Sequence, residues 1–203
     1  MPRNRIYLGY DRFGLQGAAA VLEARIAEAG GNAREETVAE HADRLRRAQN
    51  LQKAKQNFAR QPEGYQSAWA EYEALRTSLT NLVSTLKDIL PQLRTQIFGG
   101  TIFGSLFGVT DGRRLMLMRW KDIYVNTIAD AKMIVEFWDG FPRGLPGINV
   151  FDEGHKRDSI SFTYELVDLD RPSWVREGDK REFTTRNLAE FLLKKFMDFQ
   201  GAS

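Results

Sequence analysis

Apolar residues recur along this chain with two periods, and the change between them falls near residue 100. From about Tyr65 the positions Tyr65, Ala68, Tyr72, Leu75, Leu79, Leu82, Leu86, Ile89 and Leu93 advance by threes and fours, the spacing of a heptad seam. Trp69, Val83, Leu90 and Ile97 lie next round the helix and widen the stripe. A stripe this wide predicts packing in a bundle or onto a sheet rather than a free two-stranded coil. Pro91 removes a backbone donor and clashes one turn back, which predicts a kink or restart. Upstream, Ala33 to Arg60 favours a helix whose apolar face is thin (Val38, Ala42, Leu45, Ala48, Leu51, Phe58), and Pro62 and Gly64 separate it from the seam.

Beyond Thr101 the period becomes two. Asp111-Gly112 between TIFGSLFGVT and RRLMLMRW predicts a hairpin with a two-residue loop. That loop would set Val109 opposite Arg114, Phe107 opposite Met116, Ser105 opposite Met118 and Phe103 opposite Trp120. Both faces of the hairpin are largely apolar, so it belongs inside a structure.

Lys132 to Trp138 and Ser159 to Val167 read as further strands. FPRGLPG at 141–147 is a turn-rich connector, INVF a short strand, and NVFDEGHKRD a polar loop. The chain opens with a strand at Arg5 to Tyr10 and a helix at Leu15 to Ala29, closed by Gly30-Gly31. No second apolar β-run follows before residue 60, so the first strand is expected to pair with a distant sheet. At the other end Thr184 is the expected N-cap of a final helix. Phe183 and Leu188 form its staple, and Leu188, Phe191, Leu192, Phe196 and Phe199 its buried face. The class is α+β: long N-terminal helices, as a hairpin or bundle, then an antiparallel sheet covered by a C-terminal helix. The expected division is a helical region with one short strand at 1–98 and a sheet domain at 99–203.

Composition narrows the chemistry. In 203 residues, 29 Lys+Arg stand against 27 Asp+Glu, so no overall field steers the protein toward nucleic acid or an anionic membrane. The absence of cysteine excludes thiolate nucleophiles, Cys-ligated zinc and iron–sulfur clusters. No signal-peptide run precedes Asp11 and no 18-residue apolar stretch exists, so a cytoplasmic protein is expected.

Between Thr77 and Thr110 only Lys87, Asp88 and Arg94 carry charge. Gly100, Gly104 and Gly108 are spaced by four within IFGGTIFGSLFGV, as small residues are in close-packed membrane helices. The run is shorter than the ~20 residues of a spanning helix, each glycine costs a helix about 0.5–1 kcal/mol, and the Asp-Gly turn asks for strands. Read as strands, the glycines leave room for a facing aromatic ring or backbone.

The chain has two histidines. His41 sits on a polar helix between Glu40 and Asp43 and reads as solvated. His155, with Asp139, Asp152 and Glu153, could bind Mg²⁺ or Mn²⁺ and activate water, although the same residues suit a solvent-exposed turn. P-loop, Gly-x-Ser-x-Gly and H-E-x-x-H signatures are missing. Arg44, Arg46, Arg47, Lys53, Lys55 and Arg60 make an acid-free stretch, with Arg44, Arg47 and Lys55 the candidate phosphate-binding cations. No aromatics interleave them, and a solvated helix surface accounts for them as well.

The preferred reading is a non-catalytic interaction or assembly subunit that packs through Tyr72, Leu75, Leu79, Leu82, Leu86, Phe103 and Phe107. It implies a homo-oligomer or protein partner, with no cofactor and no metal. The alternatives are a metal-dependent phosphodiester-acting enzyme and a membrane-active protein exposing the Gly/Phe segment. Nucleic-acid and membrane partners are disfavoured.

Overall fold

A computed structural model describes residues 37–101, 104–121, 127–146 and 154–199. The expected elements at Arg5–Tyr10, Leu15–Ala29 and 148–151 lie outside them. The chain divides into two compact units, 1–48 and 49–203.

The described part of the first unit begins helix α1 (Val38–Arg60). Thr37 and Glu40 form a reciprocal cap: the Thr37 hydroxyl oxygen accepts from the Glu40 amide at 3.2 Å, and the Glu40 carboxylate accepts from the Thr37 amide at 2.9 Å. The backbone bond to Thr37, followed by the bond to its hydroxyl, lowers the Glu40 carboxyl below its ordinary value. True to its thin apolar face, α1 has no buried residue.

The second unit contains the end of α1, helix α2 (Pro62–Thr85), a seven-stranded sheet and helix α3 (Thr185–Asp198). The strands are β1 (Arg94–Thr101), β2 (Gly104–Thr110), β3 (Arg114–Lys121), β4 (Lys132–Asp139), β5 (His155–Asp168), β6 (Arg171–Arg176) and β7 (Glu182–Phe183). They pair antiparallel in chain order, a simple meander, and α2 and α3 cover one face. The fold is therefore α+β, as the two periods predict. Residue 98, the expected end of a helical region, falls within β1.

Helix α2 ends at Thr85, six residues before Pro91, with the Leu86 amide bonding the Leu82 carbonyl at 3.1 Å. Beyond the proline the chain forms a strand and not a restarted helix. Proline disfavours helical backbone at the residue before it, and TQIFGGT supplies β-branched residues and a glycine pair that a helix resists. The last members of the seam therefore leave the helix. Ile89 is 75% exposed in the connection, Leu93 is buried, and Ile97 stands on β1.

The β2–β3 hairpin forms around Asp111-Gly112, two residues out of the expected register. Val109 faces Met116, Phe107 faces Met118, and Thr110 faces Leu115 across a four-residue loop. The Asp111 carboxylate accounts for the longer loop: its Oδ1 accepts from the amides of Arg113 at 3.0 Å and Arg114 at 2.7 Å, and Oδ2 from Arg114 Nε at 2.7 Å. Because the slip is even, every side chain keeps its expected face. Strand β5 begins at His155, so the polar loop expected there is shorter, and its last four residues are exposed strand.

The main core lies between sheet and helices. Tyr72, Leu75 and Leu79 of α2 and Leu188, Leu192 and Phe196 of α3 meet Val109, Met116, Met133 and Phe162 of the sheet. Full burial of such a side chain stabilises by about 1.5–3 kcal/mol. The opposite face carries a smaller cluster of Phe98, Leu115, Leu117 and Leu145. Its presence explains why both faces of the hairpin are apolar. Thr184 caps α3 as expected, its Oγ1 accepting from the Asn187 amide at 3.3 Å.

Candidate functional site at the first sheet edge

The stripe expected to meet a partner is the inner wall of the protein's own core. Tyr72, Leu75 and Leu79 are 0–1% exposed, and Leu82 and Leu86 are half-buried against the same cluster. Burial raises the Tyr72 phenol well above its ordinary value, outweighing the nearby Arg76 guanidinium, which acts to lower it. Phe107 is buried beneath the Arg76 guanidinium, 5.5 Å from its ring centroid, and Phe103 lies outside the described residues. The sheet provides the cover that the sequence alone leaves open between self and partner.

Among the described residues the meander leaves β1 as an edge strand. It pairs there only with β2, so the main-chain groups along its outer side meet no further described strand. The opposite edge is blunted: β7 has two residues, and its Glu182 is ion-paired with Arg171 at 3.3 Å. Strand β1 is eight residues long, with neither proline nor charge after Arg94. Of the exposed large apolar side chains among the described residues, Ile97, 59% exposed, is the one that stands in a strand.

A groove runs between β1 and α2. Thr77, Thr80 and Asn81 line its helix side, Thr95 and Ile97 its strand side, and Phe107 its floor, enclosing about 440 Å³. Arg76, ion-paired with Glu73 at 2.6 Å, closes one part of it. An extended segment laid along β1 would hydrogen-bond to the strand and drop alternate side chains into the groove.

A second cavity of about 480 Å³ lies between α3 and strands β5 and β6. Two of its three lining cations, Lys195 and Arg176, are already engaged. Lys195 is ion-paired with Asp158 at 2.8 Å and lies over the Phe137 ring, while Arg176 is ion-paired with Asp179 and lies over Phe191. Partial burial acts to raise the Asp158 carboxyl, but the bonds from Lys195 and the Ser159 amide prevail and hold it below its ordinary value.

Asp139 and His155 are brought directly opposite each other on β4 and β5, and Asp139 also meets Arg157 at 3.4 Å. Asp152 and Glu153 lie outside the described residues, among which no group of three or more potential ligands is positioned to hold a metal. Arg44 and Arg47 are exposed, with Arg44 Nη2 3.0 Å from His41 Nδ1. Lys55 is half-buried and turned to Glu165 at 3.4 Å. The glycine-rich segment contributes to β1 and β2, and no helix among the described residues is long and apolar enough to cross a membrane.

Sequence reasoning misses the β1 edge because Ile97 continues the helical spacing. The signal that argues for a strand there, though not for its place at an edge, is the combination of Pro91 with Gly99-Gly100, which deny that spacing a helix. Fold and groove together define an α+β protein in which, among the described residues, β1 is an edge strand walled by a helix. No protein family, curated protein or solved structure matches this chain.

Proposed function

We propose that this protein is a non-catalytic interaction or assembly subunit that accepts an extended strand along the outer edge of β1. The observation that carries this reading is the pairing of a long, nearly uncharged edge strand with the adjoining α2 groove. Edges that are not meant to pair are commonly protected by charge, proline or short length, and β1 has little of these. Main-chain bonds would supply affinity, and the Thr/Asn-walled groove would favour small or β-branched side chains without charge.

The test is binding of a labelled peptide with the β1 sequence RTQIFGGT, read by fluorescence anisotropy, together with hydrogen exchange of the β1 amides. Saturable binding that slows β1 exchange and is weakened at least about tenfold by Ile97→Lys is the expected result. Absence of binding, with β1 amides exchanging freely at every protein concentration, would overturn the reading.

A further inference from the structure

We infer that the cavity between α3 and strands β5 and β6 binds a free α-amino acid with a large apolar side chain. At about 480 Å³ the cavity falls within the size range of small-molecule sites, and its apolar wall is formed by Phe191 and Phe199, both half-buried, and by the fully buried Phe137. None of its lining residues belongs to β1 or α2, so the site is independent of strand addition.

The chemistry of the ligand follows from which lining charges are already matched. Lys195 holds Asp158 and Arg176 holds Asp179, so neither cation offers an unmatched charge. Lys194 and Asp198 also line the cavity, and among the described residues neither has an ion-pair or hydrogen-bond partner. They lie one turn apart on α3 with the cation nearer its start, and in that order a direct pair is the weaker arrangement. Asp198 is also the last residue of α3, where the helix end is negative and an acid is disfavoured. Its place is therefore unfavourable within the protein and favourable toward an incoming ammonium group.

A molecule that brings a carboxylate to Lys194 and an ammonium to Asp198 matches both charges. An α-amino acid carries these two groups on one carbon, which suits side chains whose Cβ atoms are about 5–6 Å apart on one helix face. The phenylalanine wall then receives its apolar side chain. A simple anion would leave Asp198 unmatched beside it, and a simple cation would face Lys194.

The test is calorimetric titration of the full chain with L-phenylalanine, compared with 3-phenylpropanoate, which lacks the ammonium, and 2-phenylethylamine, which lacks the carboxylate. Saturable one-to-one binding of L-phenylalanine is expected, at least about fivefold tighter than either comparison. Lys194→Ala and Asp198→Asn change exposed residues, and each should weaken L-phenylalanine at least about threefold with the circular dichroism spectrum unchanged. Absence of saturable binding for all three compounds up to ~20 mM would overturn the site. Binding of 3-phenylpropanoate as tight as that of L-phenylalanine, or wild-type affinity in Asp198→Asn, would overturn the amino-acid assignment.

Discussion

The ring of Phe98 occupies the space that a side chain on Gly108 would need. A Cβ at Gly108 would lie 2.7 Å from Phe98 Cε2, 2.8 Å from Leu115 Cδ1 and 3.2 Å from the Met116 carbonyl oxygen. Both side chains are fully buried, so neither can swing into solvent to relieve the contact. Alanine ordinarily gains about 0.5–1 kcal/mol over glycine within a strand. Here overpacking prevails, and Gly108→Ala should lose about 1–3 kcal/mol in urea unfolding. Unchanged or increased stability would mean that the ring over Gly108 is loosely held.

Asp111 organises the loop of the central hairpin and predicts a pH dependence. Partial burial acts to raise its carboxyl, but bonds from the backbone and side chain of Arg114 and the backbone of Arg113 hold it below 3.8. A carboxyl depressed in the folded state adds stability that is complete above its unfolded value and is lost as pH falls through the folded one. The wild type should therefore lose stability as pH drops below about 4, and Asp111→Asn should flatten that limb. Asp111→Ala should cost about 1–3 kcal/mol at neutral pH, since the amides of Arg113 and Arg114 and the Arg114 guanidinium lose a charged acceptor. Parallel acid limbs for wild type and Asp111→Asn in pH-dependent unfolding would remove Asp111 as the cause.

Glu136 is the buried acid of the sheet's second face, its side chain 7% exposed. Its Oε1 lies 3.1 Å from Arg119 Nη2 and 3.6 Å from Lys156 Nζ, and Oε2 accepts from Trp138 Nε1 at 3.3 Å. Both cations are more than two-fifths exposed, so water can compensate them in part when the carboxylate is removed. Glu136→Gln should cost about 1–3 kcal/mol, less than breaking a fully buried pair. Wild-type stability for this variant, measured by denaturant titration, would show that hydration replaces the carboxylate completely.

Thr184 offers a test of a local feature. Its hydroxyl oxygen receives the Asn187 amide at the start of α3, one of the two helices that cover the sheet. Thr184→Ala should lower stability by about 1 kcal/mol, whereas Thr184→Gly should lower it by only a few tenths. Equal losses by calorimetry would assign the effect to the threonine methyl group and not to the cap.

Much of this fold is written locally. The 3–4 spacing up to Val83 determines α2, alternation determines β3, β4 and β5, and Thr184 with Phe183 and Leu188 determines where α3 begins. Each is a short-range preference, repeated over enough residues to outweigh its competitors. Even Gly108 is legible as a place for close approach, since a residue without Cβ inside an apolar strand invites a neighbour.

Long-range packing decided the rest. Helical spacing continues through Leu86, Ile89, Leu93 and Ile97, yet the chain turns at Pro91 and places Ile97 on a strand, because β2 offers main-chain partners there. The four-residue loop of the central hairpin depends on where the Asp111 carboxylate finds its donors, which no pattern of apolar residues encodes. The open edge belongs to this second category as well. A strand becomes an edge only through the order in which the whole sheet assembles, so the place proposed for a partner could be seen only once β1 had β2 on one side and no described strand on the other.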